Sequence, residues 1–383
     1  MSHRVPSAAV ASLFVLLASC ATMLAQTIDE FALPNPGSDP FGITAGPDGN
    51  LWFAEFLGGQ IGRSSPAGVI TEFPAGSGLR LVTSGPDGAL WFTIRNTNEI
   101  GRITTSGVVT QFLVPSASGT SELFFIATGP DGALWFTENQ DNQIGRITTS
   151  GVITEFALPT ANAGPYGIAA GSDGNLWFTE NSANQIGRIT TSGVVTEFSI
   201  PTSGGSTAIA AGPDGNLWFT KLFGNAIGRI TTSGAVTEFP LPGTDSRPFG
   251  IAAGPDGALW FVEQAGNNVG RITTGGVVTE LAIPTAASGP LDIASGPDGN
   301  MWFTESAAGK IGRVNLLAAV TPTPTPPTPT ATPTSVPPTP IPTPTPPVGP
   351  GPTTAVPTLS PGLLGLLGVA LAASGLYLLK RIP

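Results

Sequence analysis

Apolar residues come in short clusters along this chain: from residue 27 to 315, runs of five or six residues rich in Ile, Leu, Val, Phe and Trp are separated by knots of Gly, Pro, Asp, Asn and Ser. Runs that short exclude amphipathic helices and predict strands joined by tight turns. The clusters also repeat. Seven times a Gly-Pro-Asp-Gly turn, or a near copy, is followed by Leu-Trp-Phe, then Ile-Gly-Arg, then Val-Thr-Glu-Phe. All seven tryptophans belong to this unit, and Trp52, Trp91, Trp135, Trp177, Trp218, Trp260 and Trp302 are 39, 44, 42, 41, 42 and 42 residues apart. That is the period of a four-stranded propeller blade.

Each repeat divides into four strands. In the fourth copy they are predicted at Tyr166 to Ala170, Asn175 to Glu180, Gln185 to Thr190 and Val194 to Ile200, with turns at Gly171 to Gly174 and Thr191 to Gly193. Alternation within Leu-Trp-Phe-Thr-Glu is only partial, as expected of strands buried on both faces between blades. The ends of the array carry the topological information. Thr27 to Pro34 is a copy of the fourth strand, whereas the last repeat stops after its third strand near Arg313. The surplus strand therefore completes the last blade and leaves no open sheet edge. The fold class is all-β, a seven-bladed propeller closed by its N-terminal strand and spanning 26–320. An array of about 290 residues with an uninterrupted period reads as one domain, expected to be a monomer.

Composition narrows the chemistry. All 25 acidic residues lie in the repeats, accompanied there by 12 Lys or Arg, so the array carries 13 net negative charges and nucleic acid is not an expected partner. Cys20 and His3 are the single cysteine and histidine, and both precede the repeats. Neither a disulfide nor imidazole chemistry is available to the array.

The two ends read as targeting devices. Residues 1–25 have a basic start, an apolar stretch and small residues before Gln26, the pattern of a secretory signal peptide. Leu17-Ala18-Ser19-Cys20 resembles a lipobox that would lipidate Cys20, and cleavage after Ala25 is the competing route. Residues 321–357 are almost entirely Pro and Thr, an extended spacer reaching on the order of 100 Å. Leu363 to Leu379 is an uncharged apolar run closed by Lys380 and Arg381, long enough to approach a membrane span with the propeller outside. Segment 356–383, with Val356-Pro357-Thr358-Leu359-Ser360 before that run, resembles the bacterial IPTL-CTERM sorting signal. The resemblance implies a sorting peptidase as partner, possible removal of the tail, and residence in the cell envelope; a plain membrane anchor is the alternative.

A residue present in every copy serves every blade, so a site is to be sought where the copies differ. By that rule the turn aspartates (Asp131 and its six equivalents) are structural, bonding local backbone, and the Ile-Gly-Arg arginines pair with acids on adjacent strands or blades. The repeat form Pro-Tyr/Phe-Gly-Ile-Ala-Ala-Gly-Pro-Asp-Gly-Asn-Leu-Trp-Phe-Thr-Glu, followed by Ile-Gly-Arg-Ile-Thr, resembles the virginiamycin B lyase (streptogramin lyase) family over the whole of 27–315. The resemblance implies binding at one mouth of the central channel, and a reaction that opens a cyclic depsipeptide lactone by elimination with Mg²⁺ and a histidine base. It also implies two glutamates on the metal-bearing blade, and only blade three offers both, Glu122 and Glu138. Such a pair would take Mg²⁺ or Ca²⁺, although the fold requires no cofactor.

At the channel mouth the seven copies read Phe41, Arg80, Phe124, Tyr166, Thr207, Phe249 and Leu291, with Arg247 nearby. The position implied for the histidine is Phe124, and Arg80 stands in the neighbouring blade. Asp292 or Lys221 could replace the base only with a shifted pKa. No side chain of the array is assigned as catalytic. The expectation is an exported, envelope-held propeller that binds a small peptide, glycan or envelope component at its mouth, with a metal-dependent lyase as the alternative.

Overall fold

The computed structural model describes residues 26–115 and 122–316. Among them every regular element is a strand, and 28 strands assemble into seven four-stranded antiparallel sheets. Six sheets use four consecutive strands. The seventh joins Pro290–Ser295, Met301–Glu305 and Lys310–Asn315 to the first strand, Thr27–Ala32, which pairs antiparallel with Lys310–Asn315. The ring thus closes as the repeat pattern predicts. In the fourth blade the strands run Pro165–Ala170, Leu176–Glu180, Gln185–Ile189 and Val195–Ser199, within one residue of expectation at every boundary. Segments 1–25 and 321–383, on which the expected signal peptide, stalk and sorting signal fall, lie outside the described residues. Among the described residues no helix is long and apolar enough to cross a membrane.

The second strand of each blade is the core. All seven Trp and the Phe after each are fully buried. An aromatic side chain buries about 200 Å², worth roughly 5 kcal/mol before entropic costs, so these fourteen rings dominate the packing. A buried indole N–H needs an acceptor. In every blade it donates to the turn aspartate four residues earlier, at 2.9–3.1 Å. The aspartate accepts local backbone N–H groups as expected, for example from Ala133 to Asp131, but the indole is the bond that ties turn to core.

The second oxygen of that aspartate serves the Ile-Gly-Arg arginine of the same blade, and one small residue sets how closely. Where Ala follows the turn, in blades two, three and six, the arginine Nε approaches to 2.6–2.7 Å. Where Asn follows it, in blades one, four, five and seven, the Asn amide takes that oxygen at 2.8 Å. The arginine then stands off at 3.8–4.0 Å and donates instead to a carbonyl of the next blade, as Arg188 does to Thr232. Either way its guanidinium lies over the tryptophan ring, 5.3–6.0 Å from the centroid.

Replacing Asp131 by Ala strands the Trp135 indole N–H and frees Arg146, so the variant should lose about 1–3 kcal/mol. Urea unfolding followed by tryptophan fluorescence measures this; an unchanged midpoint would contradict the role given to the aspartate.

Candidate functional site

Two devices set the channel mouth. First, pairing of the first and second strands slips in register in every blade, between Leu123 and Ile126 in blade three and at the matching place elsewhere. Such a bulge re-aims a side chain, and the residues it re-aims include the predicted mouth positions. Second, the threonine of Trp-Phe-Thr-Glu donates to the mouth residue's carbonyl in the next blade: Thr93 to Phe124, Thr137 to Tyr166, Thr179 to Thr207, Thr220 to Phe249 and Thr304 to Phe41, at 2.6–3.0 Å. Blades one and six carry Ala54 and Val262 there. The Arg80 and Leu291 carbonyls therefore lack this tie. First strands also approach closely; a Cβ on Gly167 would stand 2.4 Å from the Thr207 carbonyl oxygen.

Five of the seven mouth side chains form a closed ring around the axis. The Arg80 guanidinium lies 5.0 Å from the Phe41 ring and 4.3 Å from the Phe124 ring. Phe124 packs on Tyr166 at 4.3 Å, Tyr166 meets Phe249 at 6.1 Å, and Phe249 meets Phe41 at 5.9 Å. Burial holds the Arg80 pKa below the usual arginine value, with Tyr166 acting in the opposite sense; burial likewise raises the Tyr166 phenol against the opposing pull of Arg80. Phe125 packs on Tyr166 from the next layer, 5.5 Å away. Thr207 shares a hydroxyl contact of 2.8 Å with Thr220, and Leu291 is buried.

Beside the ring, over blades three to six, opens a cavity of about 230 Å³ lined by Phe124, Asn139, Tyr166, Asn181, Ser182, Thr207, Leu222 and Phe249. Four of these are predicted mouth residues. Asn139 and Asn181 each anchor an amide N–H on the next blade, to the Pro165 and Ser206 carbonyls at 3.1 and 2.9 Å. Their amide oxygens remain as acceptors for a ligand. The signal was present in the sequence: only blades three and four read Thr-Glu-Asn after Trp-Phe. Phe41, Arg80 and Leu291 do not line the cavity, and Arg247 pairs with Asp245 at an exposed position.

The two predicted metal acids lie side by side in the backbone, Asn139 N–H donating to the Glu122 carbonyl at 3.3 Å. Their side chains serve different neighbours. Glu122 pairs with Arg95 of blade two, whereas Glu138 is fully buried over Gly145. Among the described residues no group of three or more His, Cys, Asp or Glu is placed to hold a metal. Lys221 is fully buried and donates to the Thr202 carbonyl at 2.8 Å and to Glu238 at 2.6 Å, so its amine is engaged with blade five's own linker and fourth strand. Asp292 accepts the Ile43 N–H at 3.0 Å, and burial raises its pKa to about 7 against that bond.

Comparison with known proteins places this architecture. The model of the virginiamycin B lyase family matches residues 21–122 and 118–340. The chain belongs to the virginiamycin B lyase family. A virginiamycin B lyase of Saccharopolyspora erythraea is 50% identical over 44 residues, which is 12% of this chain and 15% of the relative, so the chain matches only a small part of that curated protein's length. Among solved structures, a streptogramin B lyase superposes with a TM-score of 0.73 at 37% identity, covering 76% of this chain and 98% of the other. Virginiamycin B lyase of Staphylococcus aureus gives 0.73 at 40%, covering 76% and 100%. A catalytically inactive histidine-to-alanine variant of that enzyme, solved with quinupristin, superposes equally well, with a TM-score of 0.73 at 40% identity over 76% of this chain and 100% of the other.

Within the virginiamycin B lyase framework one further feature stands out: a rim of acidic pairs. The glutamate ending Trp-Phe-Thr-Glu and the glutamate of the fourth strand are close in blades one, four, six and seven. Burial foremost, then the neighbouring Glu72, raises Glu55 to about 7. Burial and Glu197 raise Glu180 to about 8, burial and Glu30 raise Glu305 to about 7, and burial also raises Glu263. Free glutamates in the unfolded chain ionise near 4.5. Between that pH and about 7–8 the folded protein binds more protons than the unfolded one, so stability falls as pH rises through this window. In chelator-treated protein the melting temperature should drop between pH 5 and 8, with a smaller drop in Glu55→Gln and Glu305→Gln. A profile flat over that range would contradict the buried, protonated state of these groups.

Proposed function

We propose that this chain is a binding propeller that receives a neutral ligand with peptide-like or glycan chemistry at the channel mouth. The ring of Phe41, Arg80, Phe124, Tyr166 and Phe249 carries the reading. At the places where the family resemblance implies imidazole, this ring has a phenyl group and a guanidinium, which pack on each other. A guanidinium keeps its proton at neutral pH and a phenyl group has none to exchange, so neither can act as general base. The cavity beside them combines aromatic walls with amide and hydroxyl groups and no charged side chain. Such a lining suits recognition of an uncharged ligand bearing hydrogen-bonding groups. Export, attachment at the envelope through the C-terminal segment, and processing by a sorting peptidase complete the proposal.

A metal-dependent lyase acting on a cyclic depsipeptide lactone is the second reading. It is favoured by the 40% identity to the Staphylococcus aureus enzyme and by Asp292, whose pKa near 7 would suit proton transfer.

Incubation of the purified protein with quinupristin and Mg²⁺, followed by mass spectrometry, separates the two. No ring-opened product is expected even at stoichiometric protein. Product that disappears in Glu138→Gln or Asp292→Asn would establish the lyase. Calorimetric binding of neutral peptides and oligosaccharides should locate the ligand class, and Tyr166→Ala should weaken the bound member at least about tenfold through loss of one stacked aromatic wall.

A further inference from the structure

The same corner of blades four, five and seven is built three ways. Its fixed parts are the fourth-strand glutamate and a threonine in the linker from the preceding blade. In blade four, Glu197 accepts the Thr160 N–H at 3.0 Å and the Thr160 hydroxyl at 2.7 Å. In blade seven, Glu30 accepts the Thr285 N–H at 2.9 Å and its hydroxyl at 2.8 Å. In blade five, the Thr202 hydroxyl donates to Glu238 at 2.7 Å.

Two of these corners hold an ammonium. Blade five supplies it from the end of its second strand, where Lys221 is fully buried and bound by Thr202 and by Glu238 at 2.6 Å. Blade seven supplies it from the start of its third strand, where Lys310 reaches Glu30 at 3.0 Å and the Thr285 hydroxyl at 2.6 Å. In blade four those two positions are Glu180 and Gln185, directly paired across the strands. Glu197 lies one pair further along the same face, opposite Gly187. Glu180 is fully buried with neither carboxylate oxygen hydrogen-bonded, and the Gln185 amide oxygen is buried and unbonded as well. Two other rim acids have a polar side chain beside them that Glu180 lacks: Asn268 donates to Glu263 at 2.8 Å, and Ser38 stands against Glu55, whose oxygens are otherwise unbonded, where blade four has Ala163.

We propose that the corner of blade four formed by Glu180, Gln185 and Glu197 binds a divalent cation, Ca²⁺ by its donors, in the place that a lysine ammonium fills in blades five and seven. Two carboxylates balance the charge of one such ion, and two carboxylates with an amide oxygen supply up to five hard oxygen ligands, water completing the six to eight that Ca²⁺ takes. The ion would neutralise the charge that Glu180 and Glu197 carry when both are ionised. It would also brace the linker after Thr160. That linker holds the cavity wall, because the Ala163 and Gly164 carbonyls accept the Ser182 and Asn181 N–H groups at 3.0 Å each. The site belongs to blade four, whereas Glu122 and Glu138 belong to blade three, and it does not depend on what the mouth binds.

The test titrates CaCl₂ into chelator-stripped protein at pH 8, comparing wild type with Glu180→Lys and Gln185→Lys, which copy the lysines of blades five and seven. Wild type should bind one more equivalent of Ca²⁺ than either variant by calorimetry. Its melting temperature should rise by roughly 5 °C at a hundredfold excess over Kd, and the blade-four part of that rise should vanish in both variants. Both variants, stripped of metal, should melt at or above stripped wild type; one that fails to fold leaves the other to decide. Equal Ca²⁺ stoichiometry in all three proteins, or no Ca²⁺ bound by wild type, overturns the proposal in favour of a proton shared by Glu180 and Glu197.

Discussion

A tryptophan cannot be buried in a propeller blade unless its indole N–H finds an acceptor, and this protein meets that need the same way seven times. The turn before the second strand presents an aspartate whose first oxygen takes the indole. Because the aspartate is thereby drawn toward the core, burial works to raise its pKa, and the bonds from Trp135 and Arg146 outweigh that effect at Asp131. The aspartate stays ionised, which keeps the arginine in place over the ring. Fourth-strand phenylalanines then stack on the tryptophan at 5.4–5.6 Å in blades one to five and seven. Turn, second, third and fourth strands are thus fastened to one indole.

The Ala or Asn that follows the turn converts this intrablade clasp into an interblade one. An Asn amide competes for the second aspartate oxygen, and the displaced arginine finds the next blade's carbonyl, as Arg63 finds Thr105 and Arg313 finds Pro66. The bond from Arg313 crosses the seam of the ring. There the N-terminal strand adds its own tie, Asp29 pairing with Arg313 across the register that closes the last sheet. Closure rests on the same chemistry as the blades.

Most of the fold was legible because it depends on what all copies share. Strand boundaries in blade four and the seam at Thr27–Ala32 follow from periodicity alone. The mouth was legible by position, since the bulge that aims each side chain recurs in every blade. What the mouth does with those side chains was not. That Arg80 would lie between two phenyl rings and help close a ring with Tyr166 depends on contacts between blades that no single repeat encodes. Asn139 and Asn181 stand just past the shared motif at a position where the copies differ, and that difference gains meaning only from the cavity the two residues line. The rim was hidden for the opposite reason. A glutamate in five of seven copies reads as scaffold, yet its environment is set by the fourth strand and by the linker from the previous blade.

Repeat architecture gives each blade the same geometric problem and leaves its chemistry free to vary. At the rim the problem is a buried acid facing another acid, and the solutions differ: an ammonium at Lys221, an ammonium at Lys310, an amide at Asn268, and none at Glu180. At the mouth the same freedom places a guanidinium where the family resemblance implies imidazole. Arg80 cannot give up its proton, but it can stack on Phe124 and Phe41 while Tyr166 counters the cost of its burial. Aromatic rings around a fixed cation make a rigid, preorganised wall. Such a wall is poorly suited to moving protons and well suited to holding the shape of the cavity beside it.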